Sequence, residues 1–370
     1  MRGLGLFMLL LLSLAPVAAA GESPAPLRVR ILSRYHPRQV LLTAASSARC
    51  DGQPVPQMPV KVEAAEPGTL RVGKLACREL LLEGAILRLG EVERGYRGRV
   101  RAREVAGEIR FVNEVDIEGY LLGVLAGELP AGAPEAMKAQ AVVSRTFAVT
   151  SRGRHQPGGL DLCDLAHCQV YRGRSGEGPE AARAVQATRG VVLKVDGQTA
   201  QAWFHSSCGG ATSSPWDVFG ERSALRAVSD RGDDGKALCS AAPEAGWTWT
   251  VSRSALAQGL GLAERGAAVE VSRKDRGGRA LEVRIFGSKM SGAELLSRVG
   301  RAFGWMKLKS LNVTVEESDG QVRFKGHGLG HGVGLCQWGA RELDRRGADW
   351  RRILEHYFPK AEVGQLDADL

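Results

Sequence analysis

IRFVNEVDIEGYLLGVLAGELPAGAPEAMKAQAVVSRTFAVTSRGR, residues 109–154, decides the fold class of this chain. Asp116 is placed to N-cap a helix over about residues 117–125, and Pro134 suits the first turn of a second, longer helix ending near Arg152. Glu128 falls between the two, flanked by Leu125, Leu129 and Pro130, so its carboxyl group would lie in apolar company at a helix–helix junction. Desolvation there disfavours the charged form and raises the pKa, as a general acid at neutral pH requires. The same local sequence also fits a solvated loop glutamate. Along the second helix Gln140, Ser144 and Phe147 recur at i, i+4 and i+7 and share a face, with Arg145 beside it. Polar groups on such a face either line a cleft or cap and solvate the helix.

Upstream, Leu27–Arg103 offers short β-rich runs (LRVRIL, VLLTA, VKVEA, AILRL) broken by Gly, Pro and Asp, the pattern of a small β-region serving as scaffold. Strands followed by helices make the class α+β, with a boundary near residue 104. An N-terminal β-rich region would cover 21–104 and a second domain 105–365. Residues 1–20 carry Arg2, an apolar run from Leu4 to Leu14 and Ala18-Ala19-Ala20, the layout of a signal peptide cleaved before Gly21. The expected location is therefore exported: periplasm, cell envelope or extracellular space. Contact with a membrane is expected only if that leader stays uncleaved, since no later run approaches the roughly 20 apolar residues of a span. No cysteine stands directly after the apolar run, which argues against a lipid anchor.

The net charge is +9, or +8 once Arg2 is removed, and favours anionic surfaces or polymers; no nucleic-acid-binding motif accompanies it. After export the available polyanions are cell-wall glycans, teichoic acids and lipid headgroups. Seven cysteines would enter an oxidising compartment, and the odd number leaves at least one unpaired or otherwise bound. Cys50 and Cys77 form the most local N-terminal pair.

Near the C-terminus GHGLGHGVGLCQWGA, residues 326–340, packs His327, His331, Gln337, Trp338 and six glycines into a run built to approach a ligand. A helix over Gln337–Arg346 follows, so the polar groups sit at a loop-to-helix junction. FHSSCGG, residues 204–210, supplies His205 and Ser206 at the end of a strand-like run.

Taken in order, VNEVDIEGYLLGVLAGELP, EAMKAQAVVSRTFAV, DLCDLAHCQVY, FHSSCGG and GHGVGLCQWGA resemble the signature blocks of the SpoIID/LytB family, over about residues 105–362. The resemblance implies a SpoIID-type domain with a glycan-binding cleft. It also implies one of two activities: lytic transglycosylase action on peptide-free peptidoglycan strands, or modulation of a cell-wall amidase. The family's essential glutamate aligns with Glu128. A glycoside hydrolase normally needs two carboxylates. A lytic transglycosylase can use one, because the substrate's own C6 hydroxyl attacks C1 and leaves a 1,6-anhydro end. Gln140, Ser144, Arg145, His205, Ser206, His327, His331 and Gln337 are then the expected substrate-binding groups. Trp203 and Trp338 fit either sugar stacking or core packing.

Cys163, His167 and Cys168, with His155, offer a Cys2His2 donor set for a structural zinc, and some relatives are similar in carrying zinc near this block; a Cys163–Cys168 disulfide is the alternative. No cofactor is required for the chemistry. Cys208 and Cys336 stand where many members carry serine. Cys336 with His331 offers a nucleophile and base, whereas Cys208, Cys336 and Cys239 together offer a disulfide or metal link.

Overall fold

The computed structural model describes residues 25–156 and 158–367. The leader expected over residues 1–20 and its cleavage point lie outside the described residues. Alternation builds the N-terminal strands: in Leu27–Ile31, Leu27, Val29 and Ile31 face the core while Arg28 and Arg30 point away from it. That strand joins a seven-stranded sheet in the order Leu162–Cys163, Leu27–Ile31, Glu108–Val115, Arg99–Val105, Leu80–Glu83, Ser47–Cys50 and Gln53–Pro54. A six-stranded antiparallel sheet packs with it, and a Cys50–Cys77 disulfide ties the two sheets together. Residue 104 lies inside the strand Arg99–Val105, whose partner Glu108–Val115 pairs in turn with Leu27–Ile31. One sheet therefore runs across the position of the boundary expected near residue 104.

Eight helices are seen among the described residues: α1 (Ile117–Glu128), α2 (Pro134–Thr150), α3 (Pro179–Ala187), α4 (Pro215–Phe219), α5 (Arg253–Leu260), α6 (Gly292–Phe303), α7 (Gln337–Arg345) and α8 (Trp350–Tyr357). None is long and apolar enough to cross a membrane. The carboxylate of Asp116 accepts the Gly119 N–H at 2.9 Å, as an N-cap should. Asp116→Ala should cost about 1 kcal/mol, measured as a lower urea midpoint with unchanged far-UV circular dichroism. Helix α1 runs to Glu128, past the end near residue 125 that the pattern indicates. It stops there because Leu129 precedes Pro130 and takes an extended conformation (φ −133°, ψ 119°). Glu128 is thus the last residue of α1 rather than part of a loop between helices.

Helix α2 is buried almost all round and forms the centre of the main core. Its N-cap, Ala133, has no capping side chain. Two distant carboxylates satisfy the free N–H groups instead. Asp344 of α7 accepts from Glu135 and Ala136 at 2.8 and 3.0 Å, and Glu180 of α3 accepts from Gly132 and Ala133. The first pair of bonds fastens α7 to the start of α2.

Residues 247–326 form a separate lobe with its own core of Trp249, Leu256, Leu260, Val283, Ile285, Leu295, Val299 and Phe324. The lobe is an excursion between two short strands, Phe204–His205 and Leu335–Cys336, which pair in parallel. The segment read as one domain over 105–365 therefore holds two hydrophobic cores.

Candidate active site

Glu128 is half-buried, and burial raises its pKa from the ordinary carboxylate value. The Val170 N–H, the Gln337 side chain and the Arg172 guanidinium act in the opposite direction. Its place at the C-terminal end of α1, with no basic residue in the last turn, also disfavours the anion. Val170 N–H donates to Oε1 at 2.5 Å. That bond makes Oε1 the acceptor and leaves the second oxygen to carry a proton. Gln337, the first residue of α7, bridges Glu128 to α2: its Nε2 lies 3.5 Å from Gln140 Oε1, and Gln140 Nε2 donates to Ser144 Oγ at 3.0 Å. The glutamate, Gln337, Gln140 and Ser144 thus form one line of polar groups.

Gln140 and Ser144 are fully buried, so they stand behind Glu128 and do not present themselves to a substrate. Arg145 is corrected more strongly. It is 0% exposed, forms a two-pronged ion pair with Glu118 at 2.9 and 2.7 Å, and donates to Val191 O at 2.9 Å. A guanidinium with these partners holds α1, α2 and the strand Val191–Val195 together and reaches no cleft.

The histidines separate into two places. His205 and His331 meet with ring centroids 5.7 Å apart, but each turns toward backbone: His205 Nδ1 donates to Val333 O at 3.1 Å, and His331 Nδ1 accepts from Val333 N–H at 3.0 Å. They brace the parallel strand pair rather than forming an open wall of sugar donors. Burial and the Arg279 charge push His331 down to about 4, and burial holds His205 below the usual imidazole range. Both are therefore neutral at pH 7. Unfolding releases them to an ordinary pKa near 6.5, so the unfolded chain binds more protons between about pH 4 and 6.5, and stability falls as pH drops through that window. His331→Asn should flatten this slope in urea titrations run across the window.

His331 also edges an apolar cavity of about 400 Å³ lined by Phe219, Leu281, Leu296 and Trp305, with Phe219 edge-on to the imidazole at 5.2 Å. Trp305 is 63% exposed. Nothing in the local sequence distinguishes these two aromatics from core residues. His327 is exposed, binds Ala245 O at 2.9 Å and borders a different cavity of about 770 Å³ with Gly209, Arg231 and Asn312. Glu128 lines neither cavity. Ser206 is half-buried and receives the Trp338 N–H on its carbonyl at 3.1 Å, which sets the start of α7 beside it. Trp203 is buried against Phe219, whereas Trp338 is half-buried under Arg341.

Two glycines explain how the segment 326–340 packs so tightly, Gly334 beside the strand 204–205 and Gly339 against α8. A Cβ on Gly334 (φ 75°) would lie 2.0 Å from Trp203 O, and one on Gly339 would lie 2.1 Å from the Tyr357 hydroxyl. Cys336 is fully buried and N-caps α7 by accepting the Gly339 N–H. As a buried cap it is not placed to act as a nucleophile with His331.

His155, Cys163, His167 and Cys168 converge, with one donor atom from each lying within 4.8 Å of the others. His155 Nε2 is 3.1 Å from Cys168 Sγ and His167 Nε2 is 3.5 Å from Cys163 Sγ; both thiols are free. Two sulfurs and two imidazoles suit a tetrahedral zinc. The cluster ends two residues before Val170, whose N–H meets Glu128.

The family described as stage II sporulation protein, SpoIID, matches residues 105–194, the segment that holds α1, α2, Glu128 and the Cys2His2 cluster. The chain is 30% identical over 260 residues to an uncharacterized protein of Brachyspira hyodysenteriae, covering 68% of this chain and 67% of that one. It is 27% identical over 279 residues to stage II sporulation protein D of Bacillus amyloliquefaciens, covering 70% and 77%. It is 29% identical over 293 residues to the amidase enhancer of Bacillus subtilis, covering 65% of this chain and 39% of that relative. The chain belongs to the SpoIID family.

Proposed function

We propose that this protein is an exported cell-wall enzyme, a lytic transglycosylase that cuts the β-1,4 bond between N-acetylmuramic acid and N-acetylglucosamine in peptide-free glycan strands. The observation that carries this reading is Glu128: a half-buried carboxyl group with a raised pKa, one oxygen of which is held by the Val170 N–H. Its free oxygen protonates the glycosidic oxygen as the C1–O bond breaks. The resulting carboxylate takes the proton of the muramic C6 hydroxyl as that oxygen bonds to C1. One group thus serves both halves, and the products are a 1,6-anhydro end and a new 4-hydroxyl. Gln337 steadies the carboxyl through both protonation states. No cofactor enters this chemistry.

His155, Cys163, His167 and Cys168 would hold zinc as a closed, four-ligand structural ion. Its contribution would be to fix the loop that delivers the Val170 N–H. Ser206 and His327 remain accessible enough to contact glycan, and the positive charge suits an anionic wall.

Because the first step needs protonated Glu128, turnover should fall as pH rises through its raised pKa, measured as initial rates of anhydro-end release against pH. A second reading is supported by the exposed aromatics Phe219 and Trp305 beside His331 and by the relative named amidase enhancer. In it the protein binds glycan without cutting it and stimulates a cell-wall amidase. Mass spectrometry of denuded glycan strands after incubation separates the two: anhydro ends mean cleavage, and bound but intact strands mean a binding module.

A further inference from the structure

Beyond the Cys2His2 cluster, a second group of soft donors lies deep in the fold. Cys208, Asp230, Cys239 and Cys336 are all buried and offer three sulfurs and one carboxylate oxygen within 4.8 Å of one another. We propose that these four residues form a second, structural zinc site of Cys3Asp type, beneath the junction of the 204–210 and 326–340 loops.

Geometry is the first support. A tetrahedral zinc with Zn–S bonds of about 2.3 Å separates its sulfurs by about 3.8 Å, and Cys208 Sγ lies 3.6 Å from Cys239 Sγ. A disulfide would need these atoms at about 2.05 Å. The surrounding hydrogen bonds are the second support. Every sulfur accepts a backbone N–H: Cys208 from Gly210 at 3.2 Å, Cys239 from Gly209 at 3.3 Å, and Cys336 from Cys208 at 3.3 Å and Gly339 at 3.4 Å. Amides aimed at sulfur stabilise thiolates, the form that binds metal.

Asp230 supplies a third argument. Its Oδ1 accepts from the Tyr357 hydroxyl at 2.7 Å and faces His356 Nε2 at 3.3 Å, while Oδ2 points at Cys208 Sγ, 2.9 Å away. One oxygen is thus anchored by outer partners and the other is turned toward the sulfurs, as in ligating carboxylates. A fully buried carboxylate beside three thiols is costly unless a cation joins it. The nearby Arg279 guanidinium is committed to Cys208 O and Ala211 O. A dication in the centre, displacing the thiol protons to solvent, satisfies the whole set, and thiolate-rich donors favour zinc over harder ions. With four protein ligands no position is left for substrate, so the ion's role is mechanical. It pins the segment after His205, the segment 230–239 and the residue before Gln337 to one point. This inference stands apart from the cleavage proposed at Glu128.

Zinc content per chain tests it. In full-length Cys163→Ser/Cys168→Ser protein purified without chelator, inductively coupled plasma mass spectrometry should find one zinc per chain; a zinc-free but folded double variant would overturn the site. If that variant does not fold, Cys336→Ser decides, since serine keeps the N-cap but is a poor ligand. It should carry one zinc fewer than the parent chain, and an unchanged content would refute the proposal. Peptide mapping of the parent chain, alkylated in denaturant without reductant, should show Cys208, Cys239 and Cys336 all free. A Cys208–Cys239 linked peptide would also overturn it.

Discussion

Glu128→Gln should abolish the release of 1,6-anhydro ends from denuded glycan strands, with a loss of at least about 100-fold, the lower range for a removed general acid. Glutamine is nearly isosteric, and its carbonyl oxygen can still accept the Val170 N–H that now meets Oε1. The helix end, the melting temperature and strand binding should therefore be kept while cleavage is lost. That combination separates a proton donor from a group that merely shapes the cleft. A variant that binds and still cuts would remove Glu128 from the chemistry and leave the glycan-binding reading in its place.

Arg145→Met should have the largest effect on stability, a loss of about 3–5 kcal/mol in urea unfolding, as expected for a buried charge left without its partner. Both members are buried: Glu118 would keep only the Gly190 N–H at 3.1 Å, and Val191 O would lose a donor. Replacing both residues, Arg145→Met with Glu118→Leu, should recover most of the loss, because no isolated carboxylate then remains. If Arg145 instead contacted substrate, the single variant would bind glycan more weakly at unchanged stability.

What was legible in the sequence was local. Asp116 as a cap, Pro134 in a first turn, the greasy neighbours of Glu128 and the short Cys50–Cys77 loop all declare themselves within a few tens of residues. The features that could not be read are long-range. Asp344 caps α2 from 208 positions away, and Val170 delivers its N–H to Glu128 from 42 away. Arg145 misled because an i, i+4 face records which side chains neighbour one another, not whether that face meets solvent or Glu118. His205 and His331 follow a related rule: the glycines around them allow such close backbone approach that the Val333 carbonyl and amide groups, not ligand, take the Nδ1 atom of each ring. Phe219 and Trp305 gave no signal, since exposure of an aromatic is a property of the finished surface.

The parallel pairing of His205 with Cys336 also sets a timetable for synthesis. Nothing N-terminal to the excursion can complete that two-stranded join, so a nascent chain carries Glu128 long before it acquires Gln337. Joins between such distant segments form late, after loop-closure entropy has been overcome. A chain that ends before α7, whether still on the ribosome or truncated, therefore lacks the partner that Gln337 gives to Glu128, and the constellation proposed for cleavage closes only once α7 has been made.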